Sequence, residues 1–175
     1  MTARDLEGEY KRIVNAAAAL LTAHGFKKRR TAFRNAHDDG NVSIVEFQKS
    51  RDSLADAVKF TVNLGVISGE LLRRWDGELD ISKETVWSAH LRSRIGDFLS
   101  PPQDLWWIIA DGADTRTIEA EVCDLITSEA LPFLSQHSTD ADLVRLWRTG
   151  QSPGLTEGQR ERNLAQLTDA LRSAS

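Results

Sequence analysis

The sequence predicts an α+β fold: an N-terminal helix, an antiparallel sheet of about five strands, and C-terminal helices that pack on the sheet. Two observations support this class. Apolar residues recur every three or four positions near both ends of the chain, which is helical periodicity. Between residues 31 and 110 they mostly alternate with polar residues or form short runs rich in β-formers. Helices segregated from a run of strands are typical of α+β domains.

The first predicted helix covers residues 4 to 24. Its apolar stripe consists of Leu6, Tyr10, Ile13, Ala17, Leu20 and Leu21. Gly25 can adopt the left-handed conformation that often ends a helix, and the apolar Phe26 follows it. We therefore expect the helix to end at Gly25.

A hairpin is predicted next, with strands at residues 31 to 36 and 41 to 49 around an Asp-Gly turn. A three-residue loop, residues 38 to 40, pairs Phe33 with Val45 and gathers the aromatic side chains on one face. A two-residue loop would scatter them. Because a slip of one residue exchanges the two faces of a strand, we predict the three-residue loop.

Three further strands complete the predicted sheet. They lie at about residues 58 to 67, 90 to 95 and 105 to 110, and a short helix from Glu70 to Trp75 follows the first of them. Residues 60 to 66 alternate large apolar residues with Thr, Asn and Gly, so one face of this strand belongs to a core. The other face is predicted to be polar.

Three helices close the predicted fold. The first carries an apolar stripe from Ile118 to Leu134. Thr139 with Asp142, and Thr156 with Gln159, have the spacing of capping boxes ahead of the other two helices.

Composition argues against several classes of function, although a continuous basic patch on the hairpin would leave nucleic-acid binding open as a third reading. The 175 residues are 41% hydrophobic and 27% charged with a net charge of -4, as in an ordinary soluble domain. A dedicated nucleic-acid binder would have a basic excess. No apolar run is long enough to span a membrane, and the N-terminus lacks the pattern of a signal peptide, so we expect a cytoplasmic protein. The single cysteine, Cys123, fits a reducing compartment.

Several short motifs together resemble a known family. They are GFKKR at residues 25 to 29, EFQKS at 46 to 50, FTVNLGV at 60 to 66, LRSRIGDF at 91 to 98 and WWII at 106 to 109. In this order they resemble the bacterial domain-of-unknown-function family 4304, over about residues 5 to 135. The resemblance implies one cytosolic α+β domain without an assigned reaction. We expect a single domain over residues 1–175, with a family-like core at 5–135 and a C-terminal helical extension at 139–175.

The sequence contains no convincing catalytic or metal motif. His37, Asp38 and Asp39 are metal-ligand types, but an Asp-Gly turn requires the same residues. The four histidines lack metal-ligand spacing, and Cys123 lies among apolar residues. The glycines form neither a phosphate-binding loop nor a dinucleotide fingerprint. We expect no metal and no cofactor.

A basic patch is a weaker candidate for function. Residues 27 to 30 are all basic, and Lys49 and Arg51 should lie beside them across the hairpin. Such a patch attracts phosphate or an acidic partner, although charges at strand ends also keep sheet edges soluble.

The best candidate is a polar row on the predicted sheet. Side chains on one face converge if their strands are adjacent, and the candidate binding surface is Gln48, Asn63, His90, Arg92, Arg94 and Trp107. Of the neighbours Trp106 and Trp107, one should anchor the core and the other flank this surface, because consecutive side chains of a strand point to opposite faces. The alternative is that these residues bond to covering helices or face water.

The sequence therefore favours a non-enzymatic protein-binding module, of which an immunity or accessory protein is one form. Tryptophan and arginine are enriched at binding hot spots. The alternative is a domain or enzyme that binds a small anion through Arg92 or Arg94, with His90 as acid or base. A protein partner is expected in the first case and an anionic metabolite in the second.

Overall fold

One antiparallel sheet of six strands organises the chain in a computed structural model that describes residues 5–53, 56–76, 80 and 82–174. The strands are β1 (Lys27–Arg29), β2 (Ala32–Ala36), β3 (Val42–Lys49), β4 (Ala57–Ile67), β5 (Leu91–Arg94) and β6 (Trp107–Ala110). Their order is β1-β2-β3-β4-β5, and β6 pairs with β4 as well.

Helices precede and follow this sheet. They are α1 (Leu6–Ala23), α2 (Gly69–Asp76), α3 (Thr115–Leu125), α4 (Leu131–Gln136), α5 (Asp140–Arg148) and α6 (Glu157–Ser173), with short 3-10 turns at Val86–Ser88 and Ile95–Phe98. A π-helical turn, Ile126–Ala130, joins α3 to α4, so the predicted stripe from Ile118 to Leu134 follows one helical path. The predicted α+β fold is confirmed. Among the described residues, no helix is long and apolar enough to cross a membrane.

The start of the fold follows the sequence prediction closely. Asp5 accepts a hydrogen bond from the Gly8 N–H at the start of α1; residue 4, where the predicted helix begins, lies outside the described residues. Gly25 has a φ of 86°, and the Phe26 N–H donates to the Leu21 carbonyl (3.0 Å). The helix therefore ends at a left-handed glycine, as predicted.

The three-residue hairpin loop is also confirmed. Phe33 lies opposite Val45, and the His37 N–H donates to the Asn41 carbonyl (2.8 Å) where the loop closes. Gly40 takes the left-handed conformation with a φ of 87°. Both capping boxes of the C-terminal helices are present as well, at Thr139 with Asp142 and at Thr156 with Gln159.

The strand β1 is an addition to the predicted sheet. It pairs with β2 through a two-residue turn, but its three residues, Lys-Lys-Arg, are all exposed. Sequence periodicity detects strands through their buried side chains, and this strand has none.

The long strand β4 has neighbours on both edges along most of its length. One edge pairs with β3, from Ile67 opposite Val42 to Phe60 opposite Lys49. The other edge pairs with β5 near residues 63 to 66 and with β6 near residues 57 to 60. These registers place the alternating residues of all neighbouring strands on two common faces.

The first face of the sheet carries the main core. Its side chains pack with α1 and the C-terminal helices in one buried cluster that includes Ile13, Phe60, Leu64, Val122 and Trp147. Leu167 of α6 belongs to the same cluster, so the C-terminal extension packs with the family-like core. The second face carries a smaller apolar cluster made by Val42, Ile44, Ile67, Leu72, Val86 and Ala89.

A buried amide ties the hairpin loop to two helices. Asn41, with 0% of its surface exposed, accepts a hydrogen bond from the Gly69 N–H (2.9 Å) at the start of α2. Its amide nitrogen donates to the Ser138 carbonyl and to the Asp140 carboxylate, both at 3.0 Å, next to the start of α5. This side chain therefore links the loop between β2 and β3 to the starts of α2 and α5.

We predict that Gly65 is required by a close approach on the second face. A Cβ atom at Gly65 would lie 2.7 Å from the Cβ of Ala89, so Gly65→Ala should lower the free energy of unfolding by about 1–3 kcal/mol. Gly158→Ala is the control, because nothing lies within 4 Å of its Cβ position in α6. Its stability should stay equal or rise by up to about 1 kcal/mol. Urea unfolding of both variants measures the difference, and equal stabilities would contradict the prediction.

Candidate functional site: the polar face of the sheet

Three of the predicted residues form one hydrogen-bonded row across adjacent strands. Asn63 of β4 lies opposite Arg94 of β5, and its amide nitrogen donates to the Gln48 side-chain oxygen of β3 (2.7 Å). The Arg94 Nε donates to the Asn63 side-chain oxygen (3.2 Å). Asn63 is 8% exposed, so the centre of this row is almost withdrawn from water. The row is rigid because each member fixes the next.

The row continues into the loop before β6. Arg94 forms an ion pair with Asp104, and the Trp106 indole N–H donates to the same carboxylate (2.9 Å). The Arg94 guanidinium lies over the Trp106 ring, 5.1 Å from its centroid, and the Lys59 ammonium lies 5.2 Å from it. The Trp106 hydrogen bond and then Arg94 lower the pKa of Asp104. Arg94 is therefore held by an acid, an amide and an aromatic ring.

Trp107 does not belong to this surface. It lies opposite Phe60 on the first face, is 4% exposed, and stacks on the Phe60 ring at 5.4 Å. Its indole N–H donates to the Glu121 carboxylate (3.0 Å). Trp106 takes the position on the polar side. Alternation predicted this division between the two tryptophans, but only the pairing of β6 with β4 decides which one faces the core.

His90, another residue of the predicted surface, lies just before β5, and its ring is turned inward. Its Nδ1 accepts a hydrogen bond from the Ser68 backbone N–H (3.0 Å), just after β4. Burial lowers the pKa of His90 to about 4. Near pH 7 the ring is therefore neutral and serves as a hydrogen-bond acceptor for the backbone.

Arg92 is bound to the connection between α5 and α6. Its backbone N–H donates to the Pro153 carbonyl (3.1 Å), and its guanidinium donates to the Gly154 carbonyl. Arg92 lines two shallow depressions, one of about 280 Å³ with His90 and one of about 380 Å³ with Arg94. His90, Arg92 and Arg94 thus line two neighbouring depressions and do not all meet in either one.

Trp87 is the prominent member of this surface that the sequence analysis missed. Its side chain is 66% exposed, and it lines both depressions. We call Trp87, Asn63, Arg92, Arg94 and Asp104, which share the larger depression, the Trp87 surface. A tryptophan in a short irregular segment has no periodicity, so the only available signal was its residue type.

The turn that carries Trp87 is firmly attached to the sheet. Val86 and Ala89 on its two sides are each 5% exposed and belong to the second-face cluster. The Val86 N–H donates to the Glu46 carboxylate (3.2 Å), and a capping box between Thr85 and Ser88 closes the turn. The exposed indole is therefore presented by a fixed backbone.

Other potentially reactive groups lie away from this surface. Burial raises the pKa of the Cys123 thiol on α3, with the nearby Glu119 and Asp124 adding to the shift. His37 donates or accepts a hydrogen bond at 2.8 Å with the Ser43 hydroxyl next to the hairpin loop. In the described part of the chain, no group of three or more metal-ligand side chains lies close enough to hold a metal ion.

Comparison with known proteins supports the family resemblance. A family model described as a domain of unknown function, DUF4304, matches residues 17–136. No curated protein and no solved structure matches the chain significantly.

The pH dependence of stability tests the placement of His90. The folded state keeps His90 neutral down to about pH 4, whereas an unfolded histidine titrates near pH 6.5. Protonation therefore favours the unfolded chain. The contribution of neutral His90 to the free energy of unfolding is complete above pH 6.5 and is lost as the pH falls towards 4. Relative to His90→Gln, the wild-type free energy of unfolding should fall by on the order of 2 kcal/mol across this window.

Urea unfolding at several pH values measures this difference. His24→Gln, at an exposed histidine just after α1, is the matched control and should keep the wild-type pH dependence. An unchanged pH dependence in His90→Gln would contradict the assignment.

We expect Asn63 and Arg94 to be energetically coupled through their hydrogen bond. In a double-mutant cycle of Asn63→Ala and Arg94→Ala, the coupling free energy should be about 0.5–1.5 kcal/mol, because the bond is charge-assisted and half-buried. A second cycle, Asn63→Ala with Arg145→Ala, provides the control, since Arg145 lies on α5 and pairs with Asp142. Equal couplings in the two cycles would show that the row is not a unit.

Proposed function

The chain belongs to the DUF4304 family, a domain family of unknown function, and we propose that it is a non-enzymatic protein-binding module whose partner docks on the Trp87 surface. The observation that carries the proposal is an indole that is 66% exposed on a turn fixed to the sheet. An aromatic side chain of this size normally stabilises a protein or a complex by burying its large apolar surface. A partner that covers it supplies that burial.

The surroundings of Trp87 resemble those of an interface hot spot. Tryptophan and arginine dominate such regions, and Arg92 and Arg94 both lie beside the indole. Because Arg94 is already held by Asn63, Asp104 and Trp106, little side-chain entropy is lost when a partner docks.

Charge indicates what the partner presents. The depression between Trp87 and α6 is lined by Arg92 and Arg162, with Leu72 and Leu155 as apolar members. None of the described residues that line it is acidic. We therefore propose a protein partner with an apolar contact for Trp87 and carboxylates on the side that faces α6. An immunity protein or an accessory subunit of a bacterial assembly would use such a surface.

Partner binding tests the proposal directly. The tagged wild-type chain, Trp87→Ala and Leu171→Ala serve as baits in a lysate of the cells that encode the chain. Leu171 is the control because it is 37% exposed, also apolar, and lies on α6 beyond Arg162. The recovered partner is then purified and its Kd measured by calorimetry. Trp87→Ala should weaken binding about 30-fold, or ~2 kcal/mol, whereas Leu171→Ala should leave it within twofold.

Two outcomes would contradict the proposal. One is a partner that binds Trp87→Ala as tightly as wild type, or no saturable partner at all. The other is a dimer of the chain itself that Trp87→Ala dissociates, which would assign the surface to self-association. An immunity role further requires that the partner is toxic when expressed alone and is neutralised by the wild-type chain.

The alternative, a small-anion site built on Arg92, Arg94 and His90, stays a prediction. One observation favours it: the buried Arg92 Nε has no hydrogen-bond partner among the described residues. Both guanidiniums donate to protein acceptors, and the His90 ring is engaged by Ser68.

A further inference from the structure

The basic run at residues 27 to 30 is divided between the two faces of the sheet. Lys28 lies opposite Phe33 and therefore points to the first face, where it donates to the Asn15 side chain (2.7 Å). Arg29 lies opposite Ala32 and points to the second face. The predicted patch is therefore divided between two depressions: Lys28 and Lys49 line the one on the first face, Arg29 lines the one on the second, and Arg30 at the turn lines both.

The cations on the second face line a groove of about 430 Å³. It runs between the turn from β1 to β2 and the segment before Trp87, and three arginines contribute to it: Arg29, Arg30 and Arg34. Among the described residues, Glu46 is the one carboxylate that lines the groove, and it accepts the Val86 N–H. Lys83 also lines the groove but pairs with Asp80 (2.9 Å). Within the described residues, none of the three arginines forms an ion pair with a carboxylate.

Arg34 is the most informative of these residues. It is 9% exposed, its Nε donates to the Glu84 carbonyl (2.6 Å), and its Nη1 is buried without a hydrogen-bond partner among the described residues. Burial lowers the pKa of Arg34. Glu46 opposes this shift, the nearby charge of Arg29 adds to it, and Glu84 is a second opposing acid. A buried guanidinium N–H without an acceptor is costly, and an anion in the groove would supply one.

The backbone conformation beside the groove also supports an anion site. Arg30 occupies the first position of the two-residue turn with a φ of 58°, a conformation that favours glycine or asparagine. An arginine there is locally unfavourable, yet it adds a third guanidinium to the groove. Thr31 completes the lining on this side.

We propose that this groove binds a phosphate group, carried by a small organic molecule or present as the free ion, with Arg34 as the central donor. Guanidinium groups match phosphate because they offer paired N–H donors to two oxygens at once. Three of them, against Glu46 in the lining and Glu84 nearby, favour a doubly charged anion over a single carboxylate. The site is separate from the Trp87 surface and does not depend on the proposed protein partner.

Calorimetric titration at pH 8 and constant ionic strength tests the site with three probes: inorganic phosphate, phenyl phosphate and benzoate. We expect saturable binding of at least one phosphate probe, at least tenfold tighter than benzoate. Tighter binding of phenyl phosphate assigns an organic phosphate, and tighter binding of inorganic phosphate assigns the free ion. Benzoate binding as tight as both phosphate probes, or no saturable phosphate binding up to about 10 mM, would overturn the proposal.

Variants locate the binding. Arg34→Gln should weaken phosphate affinity at least tenfold. Arg30→Asn removes an exposed charge while it suits the left-handed turn, and should weaken affinity about three- to tenfold even if Arg34→Gln folds poorly. Lys28→Gln is the matched control, because it removes the same charge on the opposite face of the same hairpin. Its affinity should stay within twofold of wild type, and an equal loss in Lys28→Gln and Arg30→Asn would reduce the effect to net charge.

The same variants separate this proposal from the one above. Trp87→Ala should leave phosphate affinity unchanged, and Arg30→Asn should leave the protein partner bound. Loss of phosphate binding in Trp87→Ala would overturn the separation of the two sites.

Discussion

The pairing of β4 with three other strands is the constraint on which the rest of the fold depends. Its alternation places Phe60 and Leu64 on the first face and Asn63 and Gly65 on the second, and β3, β5 and β6 inherit these faces through their registers. A slip of one residue would bring Asn63 into the main core and expose the large apolar side chains. Burial of the apolar side chains of β4 therefore also determines which residues lie on the opposite face.

Features that depend on neighbours in sequence could be predicted. The end of α1 at Gly25 and the three-residue hairpin loop follow from local backbone chemistry, and the structure has both. The strand β1 could not be predicted, because its pairing with β2 buries none of its three side chains. Its evidence lies in the turn at Arg30, whose left-handed φ is unusual for an arginine.

The candidate site divides in the same way. Alternation predicts that Gln48, Asn63 and Arg94 lie on polar sides of their strands, but the pairing of β4 with β3 and β5, which one sequence does not reveal, makes them neighbours. Trp107 was assigned to the wrong side, because the choice between it and Trp106 depends on how β6 pairs with β4. The surroundings of Trp87 and Arg34 come from segments about 40 to 50 residues away. The Val86 N–H next to Trp87 donates to Glu46, and Arg34 donates to the Glu84 carbonyl. Such contacts have no periodic signal in a single sequence.

The polar row and the two proposed sites differ in which hydrogen bonds and apolar contacts are still missing in the folded chain. Within the row, Asn63 bonds on both sides and Arg94 is held by an acid, an amide and a ring, so Arg94 offers a partner a charge that is already positioned beside Trp87. Trp87 instead keeps most of an indole in water, and Arg34 keeps a buried N–H without an acceptor in the described structure. Binding free energy is largest where association removes such a deficit. We therefore expect the row to hold Arg94 in place beside Trp87, and the largest binding contributions to come from Trp87 and Arg34.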